Sequence, residues 1–458
     1  MENICSPKIR FPFISTRITT DIVLFFALLP LWVILGITQF LGIFLMIFLF
    51  FKLLIINLKH QREVKIPFSL LSVMTAFLLS SLISGLHIQE EKWNLVFIRN
   101  FLAYLGALAL FLVIININKD KKDLIKIIQG LNLMIFLACL IGLFTLLDII
   151  PLKTNFIAPV AYFLPENIKQ SEFLQNIVNP NFGDYIRIKL FNIKVKRISS
   201  IFPFPNTFAA AMIIILPFQF YLFKISRGRG RALTLLNIIL VLISLFFTYS
   251  RSAYLALLSG FLYLEFKNVK KFLTFLQKPI IIFSAILIIF LFFLILKDPL
   301  LELKSRSTST RMLIYEKTIE SWKENPIFGW GTHRNMEVVG ESPKLPPLGS
   351  HSYFLAILYR YGIFGSILFS IIIILILRDI QKISILRGND PFLGKLGLYA
   401  GMAFFMNLIQ WVFIVMDYDV ILLFLIWMNW GIIVGIRMKL EKDYMLKKSK
   451  ININFVSP

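Results

Sequence analysis

Asp21 to Ile56 reads DIVLFFALLPLWVILGITQFLGIFLMIFLFFKLLII. A helix needs about 20 mostly apolar residues to cross the ~30 Å hydrocarbon core of a bilayer. This stretch is too long for one crossing and suits two, with Gly36 near its middle. It reads as two spans, 21–36 and 38–56, joined by a tight hairpin. The choice fixes the orientation of every later span. One span would leave Lys8, Arg10 and Arg17 of the N-terminal tail on the outer side, against the excess of Lys and Arg on cytoplasmic loops. No small-residue cleavage site follows a short apolar core, so the start reads as an uncleaved first span.

The rest of the chain continues the pattern. Of 458 residues, 58% are hydrophobic and 16% charged; an average soluble protein is about 45–50% apolar and roughly 25% charged. A water-soluble enzyme cannot cover so much apolar surface, and a disordered chain would not contain it. Lys and Arg number 48 against 25 Asp and Glu, a net charge of +23. Nucleic-acid binding is not expected, because the basic residues form no soluble face. Further apolar segments lie at 66–86, 95–116, 127–149, 206–223, 232–248, 252–266, 279–297, 352–377, 396–415 and 420–436. The expectation is an all-α polytopic membrane protein of about twelve spans, a single transmembrane domain over residues 1–458.

With twelve spans, residues 1–20, 57–65, 117–126, 224–231, 267–278, 378–395 and the tail from Arg437 share one side and carry most of the basic residues. The short loops opposite hold only Lys92 and Arg251. Both termini are therefore expected in the cytoplasm. Most of the +23 records topology and attraction to anionic lipid. Two longer loops, 150–205 and 298–350, are expected outside. In the second, Ser307 to Thr310 can cap a helix over 311–324 that stops at Asn325-Pro326. Met312, Tyr315, Ile319 and Trp322 would share one face of it, and it would lie across the mouth of the bundle.

Ionisable residues at membrane depth are costly and are functional candidates by default. Arg197 precedes Ile198-Ser199-Ser200-Ile201-Phe202-Pro203-Phe204-Pro205-Asn206-Thr207. It is either an interfacial side chain snorkelling outward or an anion-binding group. Pro205-Asn206 would open the next helix, with Asn206 satisfying free N–H groups. Arg251 sits in Thr248-Tyr249-Ser250-Arg251-Ser252, an expected outer turn where a purely structural Arg is out of place. Its planar fork suits phosphate oxygens. His351 ends the large outer loop between small residues, Gly349-Ser350-His351-Ser352. It is either a bland interfacial side chain or a proton acceptor near neutral pH. His333 is a weaker candidate. Arg99 and Arg360 lie within spans, each pairing with a buried acid or lining a cavity; Glu90 and Glu91 could neutralise neighbouring cations. Cys5, Cys139 and the histidines show no disulfide framework and no metal-ligand spacing, so no metal or cofactor is expected.

The ordered set of these segments resembles the O-antigen ligase and O-antigen polymerase superfamily of bacterial membrane proteins. Arg197 with Phe204-Pro205-Asn206 resembles its first motif, and Thr248 to Ser252 its short Thr-x-Ser-Arg segment. Arg311 and Asn325-Pro326-Ile327-Phe328-Gly329-Trp330-Gly331 resemble the characteristic stretch of its large outer loop. Ser350-His351-Ser352 followed by Tyr359-Arg360-Tyr361-Gly362-Ile363-Phe364-Gly365 resembles the end of that loop. The motif-bearing part covers about 195 to 370.

The resemblance implies a metal-independent glycosyltransferase of cell-surface polysaccharide assembly. It would sit in the bacterial inner membrane with its site facing the exterior. The donor would be a glycan on undecaprenyl pyrophosphate. The acceptor would be a hydroxyl of the lipid A core (ligase) or of another carrier-linked repeat (polymerase). By motif, Arg197 and Arg251 would bind the pyrophosphate and His351 would act at the acceptor hydroxyl. Arg311, Asn206 and Arg360 would assist in substrate binding. The superfamily also leaves open an anion transporter of bicarbonate type, although no two-fold repeat is visible here.

Overall fold

Lipid offers no hydrogen-bond partner to the backbone, so apolar runs of this length satisfy their N–H and C=O groups internally as helices. The computed structural model describes residues 13–61, 63–89, 93–117, 121–152, 157–163, 179–188, 193–266, 306–342, 345–415 and 419–454. In chain order the main elements are α1 (Phe13–Ala27), α2 (Leu29–Leu35), α3 (Thr38–Lys59), α4 (Phe68–Gly85), α5 (Asn94–Ile117) and α6 (Lys121–Leu146). Then come β1 (Gly183–Ile188), β2 (Ile193–Ile198), α7 (Pro205–Ile225), α8 (Gly228–Phe247) and α9 (Arg251–Phe266). The last are α10 (Arg306–Trp322), α11 (Tyr353–Leu386), α12 (Pro391–Trp411) and α13 (Val420–Asn454).

The first long apolar stretch breaks at Gly36, which closes α2 at φ 76°. Lys52 on α3 reaches Asp21 on α1 at 2.6 Å. That ion pair joins residues on either side of Gly36, as an antiparallel return requires. Among the described residues nine helices are long and apolar enough to cross a membrane, or ten with the pair α1–α2, bent by 59°, counted as one span. The expected span 252–266 is α9, only 16 residues long. The expected span at 279–297, residues 1–12 and Glu90-Glu91 lie outside the described residues.

The core runs between α5, α7, α12 and α13. Trp411 on α12 meets Trp430 on α13 edge to face at 6.1 Å, and Trp427 approaches Trp430 at 5.3 Å. On α3, by contrast, Phe44, Phe48, Phe51 and Ile55 form an exposed stripe, the pattern of a helix with one face toward lipid.

Three local features depart from expectation. The described residues are not all helical: β1 and β2 form an antiparallel hairpin in the first long loop, with Asp184 opposite Arg197. Ile193-Lys194-Val195-Lys196 alternates apolar and basic residues with period two. The loop helix α10 begins at Arg306, so Ser307 to Thr310 lie inside it rather than capping it. Its packed face is also different. Ile314, Thr318 and Ser321 are buried, whereas Met312 and Ile319 are exposed. Ile314 packs with Trp330, Met336, Leu348 and Tyr359, so α10 turns toward the core of its own loop.

The third feature is a break in α11 at Gly362, φ 65° and ψ −167°. The helical ladder opens there and the Asn325–Gly331 segment closes it. Trp330 and Gly331 donate their N–H groups to the carbonyls of Tyr359 and Arg360 at 3.0 and 2.8 Å. Ile363 and Phe364 donate theirs to Pro326 and Ile327 at 2.8 and 3.2 Å. The freed backbone groups are thus paired, as membrane depth demands. Gly362 has no room for a side chain: a Cβ would lie 2.1 Å from the Ile327 carbonyl oxygen. Gly362→Ala is expected to destabilise the protein by about 1–3 kcal/mol, from a strained φ and a forced clash. Thermal denaturation in detergent reads this. An unchanged midpoint would mean that the loop is not seated in the break.

Candidate functional site

Four elements bring the candidate side chains together. Arg197 stands on β2, Asn206 in the first turn of α7, Arg251 at the first position of α9 and Arg311 on α10. His351 lies just before α11, whose first helical residue is Tyr353.

Arg197 is the anchored member. Its Nε donates to the Thr248 carbonyl at 2.7 Å and its Nη2 to Asn206 Oδ1 at 2.6 Å. Its Nη1 stands 3.9 Å from Asp184 Oδ2 across the hairpin. The guanidinium is thus held by two neutral acceptors and a single distant, half-exposed carboxylate. Burial lowers its pKa from the ordinary value; Asp184 opposes this, and the positive charges of Arg311 and Arg251 add to the lowering. These couplings place the Arg311 and Arg251 guanidiniums each within electrostatic reach of Arg197. Arginine stays protonated in proteins, so the cluster is a concentration of positive charge suited to an anion. Arg251 is exposed at the start of α9, where the helix dipole favours negative charge as well.

Asn206 has a different bond from the one expected: it accepts from Arg197. The N–H of Phe204 is instead met by Thr207 Oγ1 at 3.2 Å. Pro205 does open α7.

His351 lies within electrostatic reach of Arg311. Burial, then the charge of Arg311, pushes its pKa down to about 4, so the imidazole is neutral at pH 7 and carries a lone pair. Its backbone is left-handed, φ 67°. Ser200 and Tyr249 are also left-handed, at φ 54° and 50°. Among the described residues, three of the five non-glycine positive-φ positions therefore lie at His351 or within three residues of Arg197 and Arg251. Such backbone persists only where the surroundings over-determine it, and it clusters at functional sites.

The remaining candidates are placed elsewhere. Arg360 is fully buried in the broken stretch of α11; its Nε donates to the Ala356 carbonyl at 3.1 Å and its guanidinium lies 5.3 Å from the Tyr361 ring. Those contacts lie within its own helix. His333 bonds through Nδ1 to the Leu348 carbonyl at 2.7 Å, bracing the loop. Arg99 is buried, donates to Gln39 Oε1 at 2.9 Å and Asn100 Oδ1 at 2.6 Å, and faces the buried Asp419 carboxyl.

Two participants carry no signal of their own in the sequence. Asp184 is visible only through the strand register that sets it against Arg197. Tyr315 appears in sequence as part of an apolar helix face, but its hydroxyl donates to the His351 carbonyl at 3.1 Å.

Among the described residues, a bundle of helices long and apolar enough to cross a membrane thus carries this arginine group, with the neutral imidazole of His351 near Arg311. Residues 236–370 match the family model for O-antigen ligase. This stretch carries Arg251, Arg311, the docked Asn325–Gly331 segment and His351. The match covers less than a third of the chain and shows that this stretch is similar to the O-antigen ligase family. No curated protein matches the chain.

Proposed function

We propose that this protein transfers a glycan from undecaprenyl pyrophosphate to an acceptor hydroxyl on the outer side of the inner membrane, as a ligase or polymerase of cell-surface polysaccharide. The observation that carries this reading is the anchored Arg197 with Arg251 and Arg311 within electrostatic reach of it, and Arg311 also acting on His351. Arg197 and Arg251 hold the donor pyrophosphate, and Arg311 bridges toward the reacting centre. As the bond between the anomeric carbon and the pyrophosphate oxygen breaks, negative charge grows on the leaving group. Fixed guanidiniums stabilise that charge without reorganising, so the step draws on no metal. The acceptor oxygen attacks the anomeric carbon from the opposite face and inverts it, and its proton passes to His351. The products are the extended glycan and undecaprenyl pyrophosphate.

The charge balance makes the base responsive to the donor. Burial and the charge of Arg311 hold His351 at about 4. A bound pyrophosphate reverses the sign of the nearest charge and raises the affinity of the imidazole for a proton. Protonated His351 cannot act as base, so activity falls as pH drops through its pKa. The acid limb of kcat/KM, which reports the free enzyme, is expected at about 4. The acid limb of kcat is expected at a higher pH. Coincident limbs near the ordinary histidine value of about 6.5 would contradict this arrangement.

The family match lends no support to anion transport. Membranes containing the protein should lengthen or transfer a lipid-linked glycan. Accumulation of labelled bicarbonate without any glycan transfer would overturn the proposal.

A further inference from the structure

Arg311, Tyr315 and Thr318 are spaced by four and three residues along α10 and so share a face. Each addresses the turn that carries His351. The Tyr315 hydroxyl donates to the His351 carbonyl at 3.1 Å. Thr318 Oγ1 accepts from the Gly349 N–H at 2.9 Å, while its own hydrogen goes to the Ile314 carbonyl at 2.6 Å. The second bond fixes the hydroxyl rotor, so its lone pair stays turned toward Gly349. Thr318 is 2% exposed, too buried for solvent to take over that bond.

The turn needs holding. Gly349 and His351 both have left-handed backbones, φ 78° and 67°. For a histidine that conformation lasts only where neighbours enforce it. From the other side, Leu348 donates to the Arg334 carbonyl at 2.9 Å, and the Leu348 carbonyl pairs with His333 Nδ1 at 2.7 Å. The turn is thus gripped between the loop segment at 333–334 and one face of α10.

We propose that Tyr315 and Thr318 are positioning residues for His351, holding its turn so that the imidazole is presented to the Arg197–Arg251–Arg311 cluster. The proposal rests on the glycosyl-transfer reading above. Losing either bond lets the turn relax toward negative φ and carries the imidazole away from the acceptor proton. Arg197 and Arg251 are anchored on β2 and α9, so donor binding is retained. Proton transfer suffers and donor affinity does not.

The test uses the purified full chain in proteoliposomes. The donor is an undecaprenyl-pyrophosphate oligosaccharide; the acceptor is lipid A core or a second carrier-linked oligosaccharide. Tyr315→Phe and Thr318→Val are expected to lower kcat about ten-fold or more, with donor KM within about two-fold of wild type. Thr318→Ser keeps the accepting oxygen and should restore kcat to within about three-fold. Tyr315→Phe added to His351→Asn should cost nothing further, because both remove the same function. Wild-type kcat in both single variants would overturn the proposal. So would a rise in donor KM that accounts for the loss, or a Thr318→Ser variant as impaired as Thr318→Val. A wild-type protein that transfers no glycan to either acceptor would instead overturn the glycosyl-transfer reading beneath it.

Discussion

Arg251→Ala is expected to abolish measurable glycan transfer while leaving the protein in the membrane, and Arg197→Ala to lower it by a factor of about 10²–10³ or more. Removing one fixed donor from a site of developing negative charge costs about that factor in other enzymes. Here the donor is a full cation facing a pyrophosphate, so the loss should reach the upper end. The two arginines separate function from structure. Arg197 supports Thr248 and Asn206, and its truncation leaves those acceptors without their donor, a further cost of about 1–3 kcal/mol where they are buried. Arg251 is exposed at a helix start, and its truncation should leave packing intact. Arg197→Lys keeps the charge but not the planar fork, and is expected to fall between wild type and alanine. Initial rates of transfer per mole of folded protein decide this. Rates within about two-fold of wild type in Arg251→Ala would remove it from the mechanism.

His351→Asn should lower kcat by about 10²–10⁴, the usual worth of a positioned general base. Asparagine is the informative replacement because it tolerates the left-handed backbone found at His351, φ 67°, and cannot accept a proton at neutral pH. Donor KM should change little, since the pyrophosphate is held by the arginines. A large rise in donor KM with kcat unchanged would assign His351 to binding instead of proton transfer.

Much of this arrangement is legible along the chain. Apolar runs of membrane length report themselves, and nine of the described helices are long and apolar enough to cross a membrane, whereas the expected span 21–36 is divided between α1 and α2, bent by 59°. Arg251 stands out because an arginine in a short turn runs against the charge pattern of the other loops, and His351 because small residues surround it at a loop end. The features that are not legible depend on long-range pairing. Asp184 meets Arg197 only through a hairpin register, and a short strand pair in a loop leaves a weak local signal beside so many helices. The break at Gly362 is written in two distant segments, since Asn325–Gly331 supplies the bonds that α11 gives up. Arg360 lies beside that break and is fully buried there. The packed face of α10 differs from the expected one because apolar periodicity marks which residues are apolar, not what they pack against. Its buried side uses Thr318 and Ser321 beside Ile314; Thr318 meets the turn carrying His351, and the Ser321 carbonyl accepts from the Trp330 indole.

The most direct test of the account is the product balance of purified protein in proteoliposomes, given a defined undecaprenyl-pyrophosphate oligosaccharide and an acceptor glycan. The account predicts that released undecaprenyl pyrophosphate and transferred glycan appear in equal amounts, with inverted anomeric configuration, and that both vanish in Arg251→Ala. Retained configuration, or transfer that survives in Arg251→Ala, would contradict it.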